Sequence, residues 1–210
     1  MTSHEIIHGL AYFIFLIALL LTIYFRDKAR KLPKITGKEI RSVYRKAWVE
    51  SVLKSGDKAQ FIQTMRNNIS ISTALLGATI VSFGLILNAG IIKQNGDIFI
   101  AVRILSMISL IGYALFMLLL EIRTLTYIPI VSHVPEAYIK KYEKTDKASY
   151  IAKLLHESFD YFSNTVRALF YIAPLLIWFY NVYLFIVATM IISYAMYHED
   201  FGTKSGIVLF

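Results

Sequence analysis

Three arginines in this sequence stand at the ends of different long apolar runs and are its strongest candidates for chemistry. Arg66 is followed by Asn67, while Arg123 and Arg167 lie at the edges of two later runs. A guanidinium is a planar donor fork that suits carboxylate or phosphate, and near a membrane its charge is costly unless it is paired, hydrated or used. The set predicts either an arginine-lined vestibule of an anion pathway or ion pairs and lipid-phosphate contacts at the helix ends. Carboxylates available for such pairs are Glu121, Glu157 and Asp160.

A second candidate is a stripe of small and polar residues that continues along the apolar run after Arg66. Its members, spaced by 3, 4, 7 and 4 positions, are Ser70, Thr73, Gly77, Gly84 and Asn88. This spacing places them on one face of a helix. Small residues allow two helices to approach closely, and hydroxyl and amide groups can also line a water-filled path. The stripe therefore predicts either a helix-packing face or the lining of an oligomeric pore.

A third pattern, His4-Glu5-Ile6-Ile7-His8, matches the H-E-x-x-H motif, in which two histidines one helical turn apart bind zinc and the glutamate acts as a general base. We interpret His4 and His8 as weak metal candidates, because the match lies at the extreme N-terminus. No cofactor is predicted. The sequence contains no cysteine, which excludes disulfides, thiolate-ligated metals and cysteine nucleophiles. It also contains no phosphate loop and no dinucleotide fingerprint.

These candidates belong to a chain that is too apolar for an ordinary soluble domain. Hydrophobic residues make up 57% of the sequence and charged residues 17%, whereas roughly a quarter of an average soluble domain is charged. The apolar residues collect in runs long enough to cross roughly 30 Å of hydrocarbon. We therefore predict an all-α, polytopic transmembrane protein that forms a single membrane domain over residues 1–210. The predicted helices cover about 5–25, 59–93, 97–128, 158–180 and 182–198.

The number of crossings depends on the run from Ala168 to Tyr197, which holds no charge. The run contains Pro174 and an aromatic cluster around Asn181, and aromatic residues concentrate at the membrane–water interface. A turn in this cluster gives five crossings, which we slightly favour. A single long helix kinked at the proline gives four crossings and moves the C-terminus to the other side.

The orientation follows from the distribution of the basic residues. The segment from Arg26 to Arg66 contains 12 Lys and Arg and the segment from Arg123 to Arg167 contains 7, whereas the hairpin between the second and third helices offers only Lys93. Because basic loops stay in the cytoplasm, we predict cytoplasmic segments 26–68 and 123–160 in the cell membrane and an N-terminus outside. The net charge of +8 is then explained by anchoring and by attraction to anionic lipid rather than by nucleic-acid binding. Arg103, in the outer part of the third helix, is interpreted as an outward-snorkelling residue.

The first basic segment is predicted to be helical. Thr36-Gly37 is a helix-start signal, and apolar residues recur at helical spacing from Lys38 to Lys54. These residues are Ile40, Val43, Tyr44, Trp48 and Val52. We predict an amphipathic cytoplasmic helix that ends at Gly56-Asp57 and lies against the membrane or against the other basic segment.

Several short motifs give the chain a resemblance to a known family. They are Pro33, Thr36-Gly37, Trp48-Val49, Gln63-Thr64-Met65-Arg66-Asn67, Thr73-Ala74-Leu75-Leu76, Ile122-Arg123 running to Pro135, and Arg167-Ala168 with Tyr171, Pro174-Leu175-Leu176 and Trp178. At these spacings the sequence resembles domain-of-unknown-function family 599 from Tyr24 to Asp200. The resemblance implies a multi-pass membrane protein and implies no activity. The sequence departs from the family pattern at Tyr180-Asn181, where the family commonly has Gly-Pro.

The functional hypothesis that we favour is an oligomeric channel or transport-type protein with an arginine-lined cytoplasmic vestibule. Because 210 residues in four or five helices are few to surround a pathway, a symmetric homo-oligomer is expected. The alternative is a membrane scaffold or anionic-lipid-binding protein, and a remote alternative is a zinc-dependent membrane protease. The expected partners are membrane lipids, a second copy of the chain and an unidentified ion or solute, with no enzymatic activity.

Overall fold

A computed structural model describes residues 3–31, 37–56, 58–92 and 98–201 of the chain, and within these ranges it contains helices and no strand. The helices are α1 (Ser3–Lys31), α2 (Gly37–Ser55), α3 (Lys58–Ile92), α4 (Ile98–His133), α5 (Glu136–Glu143), α6 (Lys147–Ile177) and α7 (Val182–Phe201). The prediction of an all-α fold is therefore confirmed. The predicted helix start at Thr36 and the basic Lys93 both lie outside the described residues.

Four of the described helices are long and apolar enough to cross a membrane. The qualifying stretches are Glu5–Lys28, Ala59–Asn88, Ile98–His133 and Val182–Phe201. Helix α6 does not qualify, because its uncharged part begins only at Ala168 and the helix ends at Ile177. The predicted four-crossing alternative rested on one continuous kinked helix, whereas α6 and α7 are separate helices. By length and composition alone, no other described helix qualifies as a fifth crossing.

Three helix boundaries differ clearly from the predicted ones, and the first is the end of α1, which lies at Lys31 rather than near residue 25. Helix α6 begins at Lys147 rather than near residue 158, because its charged first half is amphipathic and packs Ile151 and Leu155 into a core. Helix α4 continues through Pro129 to His133 instead of ending at residue 128. The missing N–H of a proline costs an internal helical bond, yet here the helix passes beyond it.

The chain turns between α6 and α7, where a turn rather than a continuous kinked helix was predicted. Helix α6 passes through Pro174 and ends at Ile177, and α7 begins at Val182. The side-chain oxygen of Asn181 accepts hydrogen bonds from the backbone N–H groups of Tyr183 and Leu184, over 2.8 and 3.2 Å. Asn181 is thus the N-cap that starts α7.

Two compact units are distinguished by their internal contacts, and the first contains α1, residues 98–107 of α4, residues 170–177 of α6, and α7. Aromatic rings join α1 to α7, with centroid distances of 5.6 Å between Phe15 and Phe185 and 5.3 Å between Phe25 and Tyr197. These pairs advance together along both helices, so α1 and α7 run parallel. Trp178, just after α6, stacks on Phe185 with ring centroids 4.6 Å apart, and the hydroxyl groups of Tyr171 and Ser193 lie 2.9 Å apart, so α6 returns antiparallel to α7.

The second unit contains residues 42–55 of α2, α3, residues 108–133 of α4, α5 and residues 147–169 of α6, whereas residues 37–41 of α2 belong to the first unit. Its apolar core draws on all five elements and consists of Val49, Val52, Phe61, Met65, Leu125, Ile128, Val131, Ile139, Ile151, Ala152, Leu154 and Leu155. The parts of the two predicted basic segments that lie in this unit thus pack together, α2 and the start of α3 against α5 and α6. The prediction of one membrane domain over residues 1–210 stays a prediction.

Candidate functional site

The stripe predicted from the sequence lies on an exposed face of α3. All five of its members are exposed in this chain: Ser70, Thr73, Gly77, Gly84 and Asn88. The hydroxyl groups of Ser70 and Thr73 each donate to the backbone carbonyl oxygen four residues earlier, over 2.9 and 2.8 Å. Because these donors are satisfied within the helix, the face can meet either another helix or water.

The opposite face of α3 is buried within its own unit. Phe61 and Thr79 are each nine positions from Ser70, which at about 100° per residue places both on the side opposite to it. Both are buried, with exposed fractions of 2% each. The rest of the unit therefore covers one side of α3 and leaves the polar side uncovered.

Arg66 and Asn67 lie at the start of the same uncovered face. Both are exposed. They line an open recess together with four neighbours on α3, and its lining residues are Ala59, Ile62, Gln63, Arg66, Asn67 and Ser70. Guanidinium and amide donors side by side on an open helix face are suited to binding an anionic group such as a phosphate.

The other two arginines of the predicted set have different environments. Arg123 on α4 is exposed, whereas Arg167 on α6 is buried to an exposed fraction of 8%. The Nε–H of Arg167 donates to Oγ of Ser163 over 3.3 Å. Arg66 and Arg123 can thus reach solvent or lipid headgroups, while Arg167 is held inside its unit.

The structure gives contacts for two of the three carboxylates expected to balance the arginines, Glu121 and Asp160. The Glu121 carboxyl lies against the hydroxyl group of Ser72 on α3. Asp160 lies 3.7 Å from Nε2 of His156, and Nδ1 of the same imidazole lies 2.7 Å from Nη2 of Arg45. Ser72 was not among the site residues predicted from the sequence, although Ser72 and Thr79 are seven positions apart and mark a second polar line on α3.

The H-E-x-x-H match places its second histidine inside the first unit. His8 is buried, and its Nδ1 accepts a hydrogen bond from the indole N–H of Trp178 over 2.8 Å. A metal ion could then use only Nε2 of this imidazole. The side chain of His4 lies outside the described residues, and those residues hold no group of three potential metal ligands.

Arg103 does not extend outward as the snorkelling interpretation predicted. Its guanidinium lies over the rings of Trp178 and Phe179, at 4.5 and 5.3 Å from their centroids, and its exposed fraction is 8%. The ring faces attract the cation, and burial against them keeps the charge away from the lipid. In the sequence, the only indication of this contact was that the cluster at residues 178–183 is rich in aromatic residues.

Comparison with known proteins gives one match. A family model described as "Protein of unknown function, DUF599" matches residues 10–205. No curated protein matches the chain, and no solved structure does.

Proposed function

Since the chain belongs to DUF599, a family of proteins of unknown function, and has four helices of membrane length, we propose that it is an oligomeric channel or transport-type protein. In this proposal the uncovered face of α3 lines the pathway. Arg66 and Asn67 form part of the vestibule. The proposal includes no catalytic step.

The observation that carries this proposal is the outward direction of the α3 stripe. A stripe of Ser, Thr, Gly and Asn opposite a buried face gains nothing from apolar lipid, because its hydroxyl groups and amide make no favourable contact there. A symmetric ring of copies would remove the stripe from lipid and turn it toward a common axis. Gly77 and Gly84, which have no neighbouring side chain within 4 Å of an added Cβ, leave room for the helix of a second copy or for water.

The charge at the end of the stripe supports an anion rather than a cation as the transported species. Arg66 is exposed at the end of the α3 face, and rings of arginine in pores attract anions. In an oligomer each copy contributes one such guanidinium. The basic segments around it also make the local electrostatic potential positive, which favours an anion.

The direction of the helices supports placing the C-terminal ends of α1 and α7 on the same side of the membrane. The two helices run parallel, as the Phe15–Phe185 and Phe25–Tyr197 ring contacts show. If both cross the membrane, the basic end of α1 and the C-terminal end of α7 emerge together. We propose that this side is the cytoplasm, because the end of α1 opens the first basic segment.

Disulfide cross-linking tests the oligomer, since the chain has no native cysteine. Thr73→Cys and Gly84→Cys lie on the stripe, and we expect both to give covalent oligomers in oxidised membranes. Ser82→Cys is the matched control, because Ser82 is exposed on another face of α3 and donates to the Ala78 carbonyl oxygen. Equal cross-linking at all three positions would contradict a specific α3 contact.

Flux through liposomes tests the pathway itself. We expect Arg66→Gln to keep the oligomer intact and to lower anion flux or shift selectivity, because an exposed guanidinium contributes field strength and its loss strands no buried partner. Lys153→Gln, at an exposed position on α6, is the control and should leave the flux unchanged. Wild-type protein that conducts no ion, or unchanged flux in Arg66→Gln, would defeat the proposal.

One observation favours the second candidate function, a scaffold that binds anionic lipid. Helix α2 packs Val49 and Val52 into the core but leaves Val43 and Tyr44 exposed, with exposed fractions of 60% and 69%. Lys46 is exposed beside them, and an apolar pair next to a cation is typical of a helix that rests on an anionic membrane surface. We expect Tyr44→Ser to reduce the amount of anionic lipid that copurifies, as measured by mass spectrometry, with Tyr138→Ser as the exposed control on α5.

A further inference from the structure

A buried carboxyl and a buried hydroxyl meet between α3 and α4 in the second unit. Glu121 has an exposed fraction of 4% and Ser72 one of 1%. Oγ of Ser72 lies 2.6 Å from Oε1 of Glu121. The uncharged run that follows Arg103 in α4 ends just before Glu121. The Glu121 carboxyl therefore lies at the end of an apolar stretch, and it is buried inside the protein.

The number of hydrogens available at this contact indicates which protonation state of Glu121 fits it. Oγ of Ser72 also lies 3.0 Å from the backbone carbonyl oxygen of Asn68, so two acceptors compete for the one hydrogen of the hydroxyl group. If the Glu121 carboxyl is ionised, that hydrogen must be shared or one acceptor goes without. If Oε1 carries a proton, it donates to Oγ of Ser72, and Ser72 in turn donates to the Asn68 carbonyl oxygen. Only the protonated form gives each short contact its own hydrogen.

The second oxygen of the carboxyl points to the same conclusion. Oε2 of Glu121 is buried and has no hydrogen-bond partner among the described residues. A buried carboxylate oxygen without a donor is costly, whereas the carbonyl oxygen of a neutral acid tolerates this far better. The site therefore fits a proton better than it fits a negative charge.

The groups facing Glu121 from the neighbouring helices supply no compensating cation that the structure records. The buried face of α3 presents Phe61, Met65, Ser72 and Thr79, and none of these is charged. On α6 the contacts of Thr165 with the Ala114 carbonyl oxygen and of Asn164 with Met117 set an antiparallel register with α4. The ionisable residues of α6 near this register are His156, Glu157, Asp160, Tyr161 and Arg167. Of these, His156 and Asp160 lie close to each other and Arg167 donates to Ser163.

We propose that Glu121 and Ser72 form a proton-binding site in which the Glu121 carboxyl carries a proton that it donates to Oγ of Ser72, while Ser72 donates its own hydrogen to the Asn68 carbonyl oxygen. The ligand is a proton and not a metal cation, because Ca²⁺ and Mg²⁺ require six or more oxygen ligands. The described atoms here offer two carboxyl oxygens, one hydroxyl and one carbonyl. Loss of the proton leaves a carboxylate that can only accept from Ser72, so proton occupancy sets the direction of the hydrogen bond between α3 and α4. The site does not depend on the proposed pathway.

Infrared spectroscopy of the full chain in lipid nanodiscs tests the site without measuring flux. At neutral pH we expect a carbonyl stretching band of a protonated carboxyl that shifts on transfer to D₂O and is lost in Glu121→Gln. Ser72→Ala should keep the band and move it to higher frequency, because the carboxyl loses its hydrogen-bond partner. Glu157→Gln, which removes a half-buried carboxyl of α6, should leave the band unchanged.

Two results would overturn the proposal. One is the absence of a D₂O-sensitive band in wild type at neutral pH, a measurement that needs no variant and so does not depend on the folding of Glu121→Gln. The other is loss of the band when NaCl or KCl is added at constant pH, which would show a cation site instead. Absence of ion flux would defeat the proposed channel and would leave this spectroscopic result unaffected.

Discussion

The indole N–H of Trp178 donates a hydrogen bond to Nδ1 of His8 over 2.8 Å, and the two rings are stacked with centroids 5.9 Å apart. The bond joins the turn after α6 to the first turns of α1. Because Nδ1 is the acceptor, the neutral imidazole carries its hydrogen on Nε2. Trp178 also presents its face to the Arg103 guanidinium, so one side chain contacts both His8 and Arg103.

Replacing Trp178 by Phe should destabilise the protein by about 1–3 kcal/mol, because Nδ1 of His8 loses its 2.8 Å hydrogen bond from the indole, while its contact with Nη2 of Arg103 is longer, at 3.4 Å. The free energy of unfolding in detergent micelles measures the effect. Tyr180→Phe is the control in the same turn, since Tyr180 has an exposed fraction of 91%. Equal stability of the two variants would contradict a structural role for the Trp178–His8 bond.

Tyr171→Phe should destabilise the first unit by about 1–3 kcal/mol, again because buried hydroxyl partners lose a hydrogen bond. The phenol hydroxyl lies 2.6 Å from Oγ1 of Thr22 and 2.9 Å from Oγ of Ser193, so it connects α1, α6 and α7. Thermal unfolding measures the change. Tyr194→Phe, at an exposed position on α7, should have no effect, and a matching loss there would argue against the connection.

Asn181→Ala should cost about 1 kcal/mol, because the first turn of α7 loses its side-chain cap. Asn181→Asp keeps an acceptor oxygen at the cap and should be close to wild type. Hydrogen exchange at the amides of Tyr183 and Leu184, which donate to the cap, reports the change locally. Faster exchange in the Asp variant as well as in the Ala variant would show that the side-chain oxygen is not the cap.

The start of α6 should loosen at low pH. The backbone N–H of Ser149 donates to the Asp146 carboxylate over 2.9 Å, and this bond holds the pKa of Asp146 below its usual value. A lowered folded-state pKa means that the contribution is fully present above the ordinary carboxyl pKa of about 4 and is lost as the pH falls through the folded-state value. Hydrogen exchange in the first turn of α6 measures it. Asp146→Ala should remove this pH dependence, and an unchanged profile would contradict the assignment.

The parallel direction of α1 and α7 predicts the result of cysteine labelling. Lys28→Cys and His198→Cys, both at exposed positions, should react with a membrane-impermeant reagent from the same side of the membrane. Tyr180→Cys should react only from the opposite side, because the turn lies at the other end of α7. Labelling of positions 180 and 198 from one side would show that α7 does not cross.

The sequence by itself determined the helical class and the approximate position of the membrane-length helices. The reason is local: the uncharged run from Ile69 to Ile92 has to satisfy its backbone hydrogen bonds internally in lipid, and only a helix does so within one segment. The turn before Val182 was also predictable, since aromatic residues and Asn181 interrupt an otherwise uniform run. The stripe on α3 followed from spacing alone.

Only the tertiary structure decided which way those helix faces point and which distant residues meet. Periodicity gives the relative angle of Ser70 and Phe61, but the buried side is set by the packing of α4 against α3. In the same way, no local pattern pairs His8 with Trp178 or buries Arg103 and Arg167 while Arg66 stays exposed. Such contacts join residues far apart in the chain, and their free energy depends on shape and charge complementarity that exists only once the helices are assembled.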